Sequence, residues 1–182
     1  IACFTAMMVV TVYGLVMMPL RPVLLTLSPY ILASLGHRTG VVMLGANAAI
    51  HPNPWWAPML VVASLSVMKF DWIWWWAGKL WGRALIEHQA EQSPRAKKRV
   101  ERAERLTQRY DILAMGLTYL PIPIPAGVIY MALGISGTGL KKFLAVDFVF
   151  AVLAQSFYMY LGYRIGEPAV RWLNEYGKYM WY

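Results

Sequence analysis

Asp71 and Asp147 are acids inside apolar stretches of membrane-span length, residues 55–78 and 143–163. A carboxylate in such a stretch costs roughly 2.5–3.5 kcal/mol on insertion scales and usually faces protein or a wet cavity, so a functional role is the default hypothesis. Each has an ordinary alternative. Asp71 can snorkel near the interface beside Lys69 and Lys79, and Asp147 is close enough to Lys141 and Lys142 for a local interfacial pairing. Arg38, next to His37 and downstream of Arg21, carries a guanidinium fork able to grip an anionic headgroup; boundary anchoring would use the same residue. Lys97, Lys98, Arg99, Arg102 and Arg105 would attract anionic lipid at about 1 kcal/mol per residue near the surface, which is also what anchors a cytoplasmic loop.

Familiar enzyme chemistry finds no motif. His88 between Glu87 and Glu91 lacks the two-histidine helical spacing of a metalloprotease, and Gly134-Ile135-Ser136-Gly137-Thr138-Gly139 does not follow a strand in a βαβ unit, so it reads as a flexible turn. Cys3 is the only cysteine, which excludes an internal disulfide and multi-thiolate metal sites. No cofactor or metal site and no enzymatic activity is expected.

The elements that must position these residues follow from the apolar pattern. Hydrophobic residues make up 59% of the chain and charged ones 14%, outside the usual soluble balance. The net charge of +8 is concentrated: nine of the seventeen Lys and Arg residues lie between Lys79 and Arg109, the layout of a basic cytoplasmic loop rather than of a nucleic-acid-binding face. The expected fold class is an all-α integral membrane protein, one membrane domain over residues 1–182. Residues 3–20 read as a transmembrane helix, and 22–50, punctuated by Pro22 and Pro29 and interrupted at His37 and Arg38, as a re-entrant or broken segment. Helix breaks are expected near Pro19, Pro22 and Pro29.

Residues 55–78 form a second span and 79–110 a basic cytoplasmic loop with a helix. Residues 112–140 are twenty-nine uncharged residues, too long for one crossing of a core about 30 Å thick. Pro121, Pro123 and Pro125 stand at their centre and both flanks are basic, so a re-entrant hairpin with its tip at those prolines is expected. A third span follows at 143–163 and an interfacial tail at 167–182. The early apolar run has no basic n-region, so Ile1 reads as a trimmed end rather than the start of a signal peptide.

The chain also echoes itself. Trp74 to Gly82 can be laid over Tyr158 to Gly166, each an aromatic cluster followed by Gly-x-x-x-Gly, and Gly40 to Gly45 echoes Gly127 to Gly134. Two such units of opposite orientation would make an inverted repeat of Pro-broken hairpin plus transmembrane helix. Interface anchoring and helix packing would leave the same marks singly.

Asp71 followed by an aromatic run and Gly78-Lys79-Leu80-Trp81-Gly82-Arg83, then the basic loop, Tyr119-Leu120-Pro121, Ala132-Leu133-Gly134, Phe143 and Leu161-Gly162-Tyr163-Arg164-Ile165-Gly166, come in a characteristic order. Over roughly Pro29 to Gly166 the sequence resembles the DedA family, the bacterial branch of membrane proteins sharing the VTT (SNARE-associated) domain. It departs from the family's pattern where Thr118 and Ile124 replace two arginines, and where Arg38 and Thr39 lie nearest the acidic positions of the first re-entrant segment.

Family members are implicated in moving undecaprenyl phosphate, and eukaryotic relatives in moving phospholipids. The resemblance therefore implies a multi-pass plasma-membrane translocase of polyprenyl phosphate or phospholipid, with Asp71, Arg38, Asp147 and the Pro121, Pro123 and Pro125 tip along the substrate path. Its partners would be membrane lipids, anionic ones foremost. The alternative is a non-transporting accessory or scaffold subunit that kept the fold after losing the arginines, with protein partners in an envelope complex.

Overall fold

A computed structural model describes residues 2–51, 54–92, 110–120 and 126–179. The basic residues Lys97, Lys98, Arg99, Arg102 and Arg105 and the prolines Pro121, Pro123 and Pro125 lie outside the described residues. Among those described the regular structure is entirely helical: α1 (Ala2–Leu27), α2 (Pro29–Ser34), α3 (Arg38–Ile50), α4 (Trp56–Met68), α5 (Asp71–Gln92), α6 (Asp111–Tyr119), α7 (Ala126–Ile135), α8 (Leu140–Ile165) and α9 (Glu167–Tyr179). Three stretches are long and apolar enough to cross a membrane, Ala2–Leu27, Trp56–Gly82 and Leu140–Ile165. They expose large apolar side chains along their length, such as Phe4, Val12 and Leu15 on α1 and Val149, Leu153 and Phe157 on α8, a surface suited to lipid.

The prolines act differently from one another. α1 runs through Pro19 and Pro22 without ending, and the break comes at Ser28. Proline disfavours the helical region for the residue before it, and Ser28 sits at φ −155°, with Pro29 in the first turn of α2, where its missing N–H costs nothing. Downstream of Pro22, Thr26 donates its hydroxyl proton to the carbonyls of Pro22 and Val23, the kind of local bonding that lets apolar helices tolerate proline. The stretch 55–78 is also divided, α4 passing to α5 through Lys69 and Phe70.

The chain forms two compact units, one of Ile1–Val9 with Phe70–Phe150, the other of Val10–Lys69 with Ala151–Tyr182. The first is centred on Trp75, Met115, Tyr130, Leu133 and Phe143, all buried. Phe143 is fully enclosed, its ring edge-on to Tyr130 at 5.4 Å and tilted to Trp75 at 6.2 Å. Trp75 completes its polar requirement by donating its indole N–H to the Thr138 carbonyl at 3.0 Å.

In the second unit, Ala33, Val41, Leu44 and Ala63 pack with Met59, Tyr158 and Met159, while Leu25, Leu32 and Met43 are covered by Val170 and Leu173 of α9. This gives α9 an apolar face turned toward protein and leaves Trp172 68% exposed on its outside.

Each unit contains one reciprocal glycine crossing. In the first, a Cβ on Gly78 would collide with the Met131 carbonyl oxygen, and a Cβ on Gly134 with that of Trp75. In the second, a Cβ on Gly162 would collide with the Val42 carbonyl oxygen, and one on Gly45 with that of Met159. In both, each glycine meets the carbonyl of the residue three positions before its partner, so the backbones touch directly, as small residues permit in membrane helices.

Candidate functional site

The first unit gathers its polar groups around Asp147. One turn past the buried Phe143, Asp147 is fully enclosed although it belongs to a membrane-spanning helix. Tyr119, last residue of α6, donates its hydroxyl to Asp147 Oδ1 at 2.8 Å, and Tyr130 of α7 reaches the same oxygen at 3.5 Å. Thr118 gives its hydroxyl proton to the Met115 carbonyl at 2.7 Å and lies 3.1 Å from the Tyr130 hydroxyl. Among the described residues Asp147 Oδ2 has no donor.

Asp71, in the first turn of α5, lies close enough to Tyr130 and Asp147 for the three groups to interact electrostatically. Two ionised carboxylates are both acceptors, so contact between them becomes a hydrogen bond only when a proton lies between them. The cluster thus groups two acids with three hydroxyls around a buried carboxylate, an arrangement suited to holding a proton or a polar group that water would otherwise solvate.

Three of the four lysines named as local partners for these acids have contacts elsewhere. Lys142 forms a salt bridge with Asp111, whose other carboxylate oxygen accepts the Ile112 N–H. Lys79 lies over the Trp75 ring at 5.0 Å, and Lys69 donates to the Tyr13 hydroxyl at 2.8 Å.

The second unit contains a basic pocket of 610 Å³ where α1 passes the turn between α2 and α3. Gly36 makes the turn possible. At φ +84° it takes the left-handed conformation that ends α2, with its N–H bonded to the Ala33 carbonyl and that of His37 to Leu32. His37 thereby becomes the residue preceding α3, and Arg38 and Thr39 its first turn, where the helix dipole is positive. Arg21 reaches the same pocket from α1, with Met18 and Leu25 as an apolar wall.

Arg38 is held over the Tyr158 ring at 5.1 Å. The backbone of the turn is fixed from α8, where the buried Gln155 donates to the Gly36 carbonyl at 3.2 Å. Burial, then the neighbouring charges of Arg21 and Lys69, push the His37 imidazole down to about 4, and its Nε2 is enclosed without a partner among the described residues.

Asp71 and Asp147, expected separately from the sequence, meet in the first unit, and Arg38 lies in the second. The hydroxyls of Tyr119 and Tyr130 and the amide of Gln155 escaped sequence reasoning, because aromatic and amide residues in apolar runs look like packing or interface residues. One signal was available for Gln155. Laying Trp74 to Gly82 over Tyr158 to Gly166 and extending back puts Gln155 opposite Asp71.

The VTT domain family model matches residues 4–164, nearly the whole of the described chain. No curated protein and no solved structure matches it.

Proposed function

Because the chain belongs to the VTT domain family, the domain of the DedA proteins, we propose that it is a multi-pass plasma-membrane protein that moves polyprenyl phosphate or phospholipid across the bilayer. The observation that carries this proposal is the hydroxyl-lined acid pair. Asp147 is fully enclosed in a spanning helix with Asp71 against it, and burial of that kind is rare unless the group handles a proton, an ion or a substrate.

The proposed architecture is an inverted repeat of re-entrant hairpin plus transmembrane helix. Two features support it. At about 1.5 Å per residue, neither α6 with 9 residues nor α7 with 10 spans a core of about 30 Å. The same reciprocal glycine crossing also recurs with the two glycine motifs that echo one another in the sequence. Cysteines at positions 98 and 141 on a Cys3-free background should label from the same face of the membrane; labelling from opposite faces would remove the hairpin.

Function is tested with purified protein in liposomes carrying a fluorescent polyprenyl phosphate or phospholipid. Transbilayer movement should exceed that of empty liposomes, and Asp71→Asn should slow it while leaving the protein folded. A second reading, an accessory subunit that no longer transports, is favoured by Thr118, whose hydroxyl is satisfied within its own hairpin where the family resemblance places an arginine. Well-folded protein that moves no lipid and co-purifies stoichiometrically with another membrane protein would establish that reading instead.

A further inference from the structure

The 610 Å³ pocket of the second unit has the chemistry of an anion site. Its charged groups come from several elements: Arg21 from α1, Arg38 from α3, His37 between α2 and α3, and Lys69, following α4, close enough to act on His37. Gln155 and Tyr158, the α8 residues that hold the turn and Arg38, are uncharged. Among the described residues no carboxylate lines the pocket, and neither guanidinium has an ion-pair partner. Stacking of Arg38 near Tyr158 fixes its position and leaves its in-plane N–H donors available for a bidentate contact.

We infer that this pocket binds a terminal phosphate monoester, with Arg21 and Arg38 gripping its oxygens and His37 becoming easier to protonate beside the bound anion. Charge matching selects the monoester. Two guanidiniums answer an ion that carries about −1.5 to −2 charges near pH 7, and a diester with a single charge leaves one of them uncompensated. The apolar wall of Met18 and Leu25 offers the first carbons of an attached chain a place outside water. His37 supplies the coupling. The two cations that now oppose its protonation, Arg21 and Lys69, would be offset by a bound dianion, and its buried Nε2 would gain an acceptor or remain the cost of an empty pocket.

The site deepens the transport proposal and rests on it for a lipid as the source of the phosphate. A basic site in the first broken segment would also stand in for the arginines that Thr118 and Ile124 replace in the second.

The test uses the full chain in phosphatidylcholine nanodiscs with ¹⁵N-labelled histidine, the His37 signal being identified by its loss in His37→Gln. At pH 7.5, where its headgroup approaches two charges, phosphatidic acid in the discs should shift the His37 ring signals, and on acidification it should raise the His37 midpoint above 4 by about one unit, a tenfold gain in proton affinity. Phosphatidylglycerol, a diester with one charge throughout this range, should shift the pH 7.5 signals much less. Arg21→Gln and Arg38→Gln should abolish the response, with Arg38→Lys retaining part of it, in variants that stay monodisperse and melt like the parent.

Inorganic phosphate giving the full response would keep the monoester site and refute its lipid assignment. Equal responses to the diester would overturn the monoester assignment, and no response to any probe in folded protein would overturn the site. Because the readout is binding, a response without lipid movement sinks the transport proposal alone. Movement that needs Asp71 but is indifferent to both arginines sinks the site alone.

Discussion

Replacing Gly78 by alanine puts a methyl group against the Met131 carbonyl, well inside the 3.0 Å that real Cβ atoms respect. A flexible side chain could turn aside, whereas a carbonyl in the middle of α7 cannot, so α5 and α7 must part by about 1 Å. Overpacking of this kind costs about 1–3 kcal/mol, and a contact with backbone belongs near the top of that range. Against it stands the gain of about 1 kcal/mol from replacing glycine by alanine within a helix, leaving a net loss of about 2 kcal/mol. At about 2–4 °C per kcal/mol for a chain of this size, the melting midpoint should fall by roughly 4–8 °C.

Gly134→Ala meets the Trp75 carbonyl at the same crossing and should cost about as much. The double variant should cost clearly less than the sum, because one displacement of the helices makes room for both methyl groups. Gly45 and Gly162 should behave as a second such pair. The assay is already in the chain: Cys3 is its only cysteine and is 2% exposed, so a thiol-reactive fluorophore reports unfolding. Gly14, with nothing within 4 Å of an added Cβ, is the control, and Gly14→Ala should be neutral or slightly stabilising. If Gly78→Ala and Gly134→Ala melt like Gly14→Ala, the direct backbone crossing of α5 and α7 is wrong.

Phe143→Ala should cost about 3–5 kcal/mol in the same melting assay, since its fully enclosed ring fills the space between Trp75 and Tyr130; a loss below 1 kcal/mol would contradict that packing. Tyr119→Phe deletes the 2.8 Å donor to Asp147 and should cost about 1–3 kcal/mol, and an unchanged midpoint would show that the hydroxyl does not serve the acid. For His37, the folded midpoint near 4 lies below the ordinary 6.5, so the unfolded chain binds the proton first. Its contribution to stability is complete above pH 6.5, falls as pH drops toward 4 and falls no further below that. Melting followed across this window should show a His37-dependent slope that His37→Gln lacks, and identical slopes in the two proteins would refute it.

What the sequence disclosed depended on whether a residue's type betrays its surroundings. The spans were legible because apolar length is a property of the chain alone, and Gly78 and Gly162, the first glycines of the two Gly-x-x-x-Gly pairs, because a missing side chain in an apolar helix invites close packing. The family resemblance rested on the same glycines and on Asp71, and the VTT match over residues 4–164 bears it out.

Proline was less informative. Pro19, Pro22 and Pro29 look alike in sequence, yet only Pro29 starts a new helix. What distinguishes it is the extended backbone at Ser28, which depends on how α2 packs on α3 and α4 and so on partners remote in sequence. The acid site was half legible for a related reason. Asp71 and Asp147 stood out because charge is rare in apolar runs, whereas Tyr119 and Tyr130 are ordinary there until the fold aims their hydroxyls at one oxygen.

Asp147 also shows why nearness in sequence misleads. Lys141 and Lys142 precede it by about a turn and a half, which turns them away from it around the helix. Lys142 instead reaches Asp111, thirty-one residues away along the chain, at the start of α6. That bridge takes up the nearest cation at the head of α8, so the buried acid is left to hydroxyl donors, and its stability rests on groups that no local pattern could have named.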